Sequence, residues 1–150
     1  MTPSRIYAAS LALGLVLAFG ASALSPRPTS VWTGLVSDGI ELVLIMSPSN
    51  CGIDGAAIRR LNEAVAVSEI PIRGVFLTQV QPADREAVRE MFGFEMPVSF
   101  DVEGKWANAI MTAGLPTQAA IVARRGRVEH VAPVDEWESL LDGIGAIPTT

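Results

Sequence analysis

The sequence predicts a three-layer α/β domain, a mixed central sheet flanked by helices, preceded by an N-terminal hydrophobic segment. Three observations carry that reading. The almost continuous apolar run Ile40–Met46 suits a strand buried on both faces of a parallel sheet, and Ile72–Gln79, entered through Pro71, reads as a second buried strand. A helical pattern separates them, and such alternation calls for a parallel crossover. Further on, two strand-like runs flank Arg124-Arg125-Gly126-Arg127, adding an antiparallel edge ahead of a closing helix.

Residues 1–24 stand apart from the fold. Arg5 precedes an uncharged, mostly apolar run, Ile6–Leu24, ending in Ala21-Ser22-Ala23. Small residues there match the signal-peptidase pattern, and the run also approaches the roughly 20 apolar residues that cross a bilayer. A cleaved signal peptide and a retained membrane anchor both fit. Either way the domain is expected to be exported, soluble after cleavage or tethered to a membrane through residues 6–24. Residues 25–39 read as a linker and lead-in, with Val31–Val36 either a short strand or irregular. The domain proper is expected over 40–150.

Within it, residues from about Gly52 to Val67 put Ile58, Leu61 and Val65 on one helical face. Pro82 opens a second helix, where its missing N–H costs nothing, and Gly93 closes it. Val88, Met91 and Phe92 form its apolar face. Met96–Phe100 is extended, and Asp101-Val102-Glu103-Gly104 turns into a short helix around Trp106–Met111. Strands are expected at Gln118–Ala123 and Val128–Ala132. The last helix has Asp135 as N-cap and Glu138 three residues on, a capping box, with Trp137, Leu140, Leu141 and Ile144 as its buried stripe.

Composition narrows the function. The formal net charge is −5, which weakly disfavours nucleic acid and anionic membrane surfaces as partners, and no basic stripe carries interleaved aromatics. One cysteine cannot close an internal disulfide. That cysteine, Cys51, follows the first strand across Ser47-Pro48-Ser49-Asn50 and precedes the first helix. At a helix start, unpaired N–H groups and the helix dipole favour thiolate over thiol.

Together these features resemble a thioredoxin-like domain of the exported TlpA-like, or redoxin, branch. The resemblance rests on the strand–loop–Cys51–helix, on the helix from Pro82 to Phe92 with Met96-Pro97-Val98-Ser99-Phe100-Asp101-Val102-Glu103-Gly104, and on Gly114-Leu115-Pro116-Thr117 ahead of a hairpin. It spans roughly Ile40 to Ile144. It implies that Cys51 is the attacking thiol, that Pro116 is a cis-proline facing it, and that Leu115 and Asn50 help shape the substrate site. The expected chemistry is monothiol thiol–disulfide exchange in a bacterial periplasm, by a protein soluble there or anchored to the inner membrane. Its partner is a protein thiol or disulfide, or a small thiol such as glutathione, with no cofactor and no metal.

The departures are as informative. Cys-x-x-Cys becomes Cys51-Gly52-Ile53-Asp54, so Asp54 holds the second-cysteine position and resolution needs an external thiol. The family's buried proton acceptor falls on Ile45, and Asn50 replaces the usual aromatic residue. Asp54 supports a helix start but, as a nearby negative charge, raises a thiol pKa. A non-catalytic thioredoxin-like binding module, in a membrane-linked assembly, is therefore the alternative. The peroxidase variant of the fold fits poorly, because its hydroxyl residue falls on Pro48. His130 has no second ligand at metal spacing. Arg124, Arg125 and Arg127 read as a solvated hairpin turn, and Arg85, Glu86, Arg89 and Glu90 as an exposed helix face. Trp106 fits either the core or a lid.

Overall fold

The computed structural model describes residues 29–47, 53–78 and 80–145. Its elements are β1 (Ile40–Met46), α1 (Gly55–Val67), β2 (Ile72–Phe76), α2 (Arg85–Phe92), β3 (Val98–Phe100), α3 (Lys105–Thr112), β4 (Ala119–Arg124), β5 (Arg127–Pro133) and α4 (Trp137–Gly143). Short 3-10 helices occupy Thr29–Trp32, Pro82–Asp84 and Val134–Glu136. Among the described residues, no helix is long and apolar enough to cross a membrane.

The strands form one sheet in the order β3-β2-β1-β4-β5. β1, β2 and β3 run parallel, while β4 runs antiparallel to β1 and β5 antiparallel to β4. β1 is central because six of its seven residues are buried, which needs a strand on each side and a layer on each face.

Alternation along β1 divides the core. Leu42, Leu44 and Met46 pack with Leu61 of α1, Phe76 and Trp137 of α4. Val43 and Ile45 face the other way, against Trp32, Trp106 and Ile110. Trp106 is thus a core residue, its ring centroid 6.1 Å from that of Trp32. The lead-in is a 3-10 turn rather than a strand, and it contributes Trp32, 1 % exposed, to this second core.

Gly74 of β2 makes room for side chains from the neighbouring strands of the sheet. A Cβ there would stand 2.6 Å from Met46 Cε and 2.9 Å from Met96 Cε. Only glycine leaves both methionine ends in place.

Several sequence expectations are corrected. Met91 is 67 % exposed, because α2 turns only Val88 and Phe92 inward. The capping box at Asp135 does not form. Val134–Glu136 is a 3-10 turn, α4 begins at Trp137 with Glu136 as an N-cap lacking a side-chain bond, and Glu138 instead pairs with Arg60 of α1 at 2.5 Å. Pro82 does open its helical segment, and Gly93, at φ 69°, ends α2.

Candidate functional site

Parallel α/β sheets gather ligands at the carboxyl ends of their strands. Here the ends of β1, β2 and β3 meet the start of β4 at one edge. Ile45 stands opposite Ala119, Leu77 N–H donates to Met46 O at 2.9 Å, and Asp101 N–H donates to Phe76 O at 2.9 Å. The chain leaving β1 toward Cys51 and the Gly114–Gln118 loop entering β4 therefore start from adjacent points. Cys51 and Asn50 themselves lie outside the described residues, as do Pro48 and the hydrophobic run 6–24.

α1, expected from about Gly52, begins at Gly55 because Asp54 is its N-cap rather than part of its first turn. Asp54 is extended, at φ −76° and ψ 165°, and its Oδ1 accepts from Ala57 N–H at 2.7 Å. That bond, with a second from Ala56 N–H and the charges of Arg60 and Arg59, holds the exposed carboxyl below its usual range. A first-turn donor expected to face a thiolate is already engaged by a carboxylate. Ile53, just before the cap, is buried against the core.

The loop before β4 is likewise not as expected. The described residues contain no cis peptide bond, so Leu115–Pro116 is trans. The turn is made otherwise. Gly114 takes φ 64°, Gly114 N–H donates to Met111 O, and Leu115 N–H donates to Ile110 O at 3.0 Å. The chain reverses directly off the end of α3. Leu115 is half-buried against the second core, whereas Pro116 and Thr117 are exposed.

Between this loop and α3 runs an apolar groove of about 600 Å³, walled chiefly by Leu77, Ile110, Met111, Leu115 and Thr117. Met111 is 74 % exposed. α3 owes its position to Asp101, a buried acid in the turn that precedes the helix. Its Oδ1 accepts from Trp106 N–H at 3.0 Å and its Oδ2 from Ala107 N–H at 2.8 Å. Gly104 at φ 67° lets the chain bend between acid and helix.

Ile45 is fully buried, and among the described residues no acid takes its place at this end of β1. The acid of β1 is Glu41, at the far end and 3 % exposed. Arg73 of β2 reaches its Oε2 at 2.8 Å and also donates to Leu35 O at 2.6 Å, while Ser37 N–H donates to Glu41 Oε1. Burial opposes ionisation of Glu41, but the Arg73 and Ser37 hydrogen bonds and the Arg73 charge together bring its pKa below the ordinary value. This pair ties the lead-in to the sheet. The signal for it in the sequence is a single acid inside the apolar run Ile40–Met46.

No family model matches the chain, and no curated protein matches it. Solved structures do. The thioredoxin domain of a thiol-disulfide oxidoreductase from Bacteroides vulgatus superposes with a TM-score of 0.53 at 12 % identity, over 71 % of this chain and 79 % of that one. StoA from Bacillus subtilis gives a TM-score of 0.53 at 11 % identity, over 71 % of this chain and 83 % of that one. The mixed five-stranded sheet between helical layers is therefore a thioredoxin-like α/β fold.

Proposed function

We infer that this is an exported thioredoxin-like protein that exchanges thiols and disulfides through Cys51. The supporting observation is the junction at Ile45 and Ala119, which starts the Cys51 segment and the Leu115–Pro116 loop from one sheet edge beside an apolar groove. That edge is where a partner's sulfur is received. In the first step the Cys51 thiolate attacks one sulfur of a partner disulfide. A mixed disulfide forms, and the other partner sulfur leaves as thiolate. An external thiol, small or protein-borne, then attacks the Cys51 sulfur and frees the reduced partner. A second such thiol releases Cys51, so two external thiols are oxidised to one disulfide. Asp54 supplies no sulfur. The solved relative from Bacteroides vulgatus is described as a thiol-disulfide oxidoreductase, which agrees with this chemistry. The N-terminal run Ile6–Leu24 directs export and, where uncleaved, tethers the domain.

Replacing Cys51 by serine in the full chain tests the reading. Loss of glutathione-dependent disulfide reduction is expected, and unchanged exchange activity overturns it.

The second reading, a non-catalytic binding module, is favoured by one local arrangement. Asp54 places a permanent negative charge at the helix start, and aliphatic Ile45 stands where the resemblance expects a proton acceptor. Capture of the same partners with and without reductant, and by the Cys51→Ala protein, supports that reading over the first.

A further inference from the structure

We propose that the three-arginine turn between β4 and β5 docks on anionic phospholipid headgroups, next to the point where the N-terminal apolar run enters a bilayer. This rests on the tethered form of the function proposed above. The net charge of the chain is acidic, but its placement is uneven. No acidic residue occurs before Asp38, the linker carries Arg27, and Arg124, Arg125 and Arg127 fall within one turn.

The turn and the lead-in are joined. Arg125 and Gly126 take φ 54° and 71°, the paired left-handed conformation of a tight hairpin. Their N–H groups donate to Gly39 O at 3.3 Å and Ser37 O at 3.1 Å. Thr33, Gly34, Asp38, Arg125 and Arg127 surround a depression of about 370 Å³, wide enough for a phosphate group. Arg124 pairs with Glu129 at 3.4 Å, and Asp38 sits on the rim. Among the described residues no acid pairs with Arg125 or Arg127, and both are exposed.

The tether fixes where the bilayer lies. Fully extended, the stretch from Leu24 to Thr29 reaches at most about 17 Å. Thr29–Trp32 packs against β5 and α3 and leads directly into Thr33 and Gly34. An apolar run ending at Leu24 thus holds the arginine turn near the headgroups. Each arginine close to an anionic leaflet strengthens binding by about fivefold. Contact there also sets orientation. Arg124 is opposite Ile40 and Ala119 is opposite Ile45, so the turn and the groove edge sit at opposite ends of β4, about 17 Å apart.

The test uses the full chain in vesicles of phosphatidylcholine, with and without phosphatidylglycerol. Flotation reads the tether, and the rate of trypsin cleavage at the turn reads the contact. Flotation with both vesicles is expected, with cleavage at least about fivefold slower on the anionic ones. High salt and the R125E/R127E variant, which keeps Arg124 as a cleavage site, should remove that protection. The R125K/R127K variant should retain it. Equal cleavage on both vesicles overturns the docking surface and leaves the tether standing. Flotation with neither overturns both. Flotation with anionic vesicles alone, lost in R125E/R127E, supports the surface and overturns the tether.

Discussion

Asp54 Oδ1 accepts the Ala57 N–H at 2.7 Å, so the residue in the second-cysteine position closes the helix end that a thiolate would otherwise use. Charge and cap are separable there. Asparagine caps nearly as well as aspartate but carries no charge. Asp54→Asn should keep the melting temperature within a degree or two and lower the apparent pKa of Cys51, read from alkylation rate against pH. Asp54→Ala should lower the melting temperature as well. An unchanged thiol pKa in the Asn variant would mean that Asp54 does not act on Cys51.

The Glu41–Arg73 pair gives a stability change with a definite sign. Glu41 has a folded pKa below its unfolded one, so its contribution is complete above the unfolded value, near pH 4, and is lost as pH falls through the folded value. Arg73→Met strands a buried carboxylate and should cost about 3 kcal/mol at neutral pH, the low end for a broken buried pair because Arg73 keeps some contact with water. Glu41→Gln with Arg73→Met should cost less than Arg73→Met alone and flatten the acid limb of the melting profile. Urea denaturation across pH checks both.

Trp32 should prove part of the domain despite preceding β1. Trp32→Ala removes a 1 % exposed ring from the Trp106 contact and should cost about 3–5 kcal/mol by urea denaturation. Trp32→Phe should cost much less. It keeps a ring and also removes Nε1, which is buried with no hydrogen-bond partner among the described residues.

At Gly74 the obstruction is two methionine methyls, which can swing aside at some cost. Gly74→Ala should destabilise by about 1–2 kcal/mol, and Met96→Leu in the same chain should recover part of it. Equal losses with and without the Met96 change would place the strain elsewhere.

Met111 tests the groove. Its side chain is 74 % exposed on the wall beside Leu115. Met111→Glu should leave the melting temperature unchanged and weaken partner capture or exchange several-fold. Unaltered capture would remove the groove from the site.

Strands and helices were legible where burial dictated period. β1 and α1 needed only the run Ile40–Met46 and the spacing of Ile58, Leu61 and Val65. Caps were legible only where no tertiary partner competed. Glu138 fits a capping box by spacing, yet Arg60, distant in sequence, holds it instead. The Leu115–Pro116 loop misled for another reason. The cis isomer was implied by the resemblance alone, and Gly114 makes the turn with a trans bond. Asp101 was obscured because its helix contacts lie five and six residues on, outside ordinary cap spacing.

The position of β1 between β2 and β4 has a consequence for biogenesis. As the chain emerges, β1 and β2 can pair early, but the other edge of β1 stays open until Ala119–Arg124 arrives. An apolar strand with an open edge invites pairing between molecules. Because that closure joins distant segments, the second edge of β1 is covered only after most of the domain has been synthesised. Nascent chains ending before β4 should therefore depend on a chaperone, whereas chains that include the β4–β5 hairpin should not.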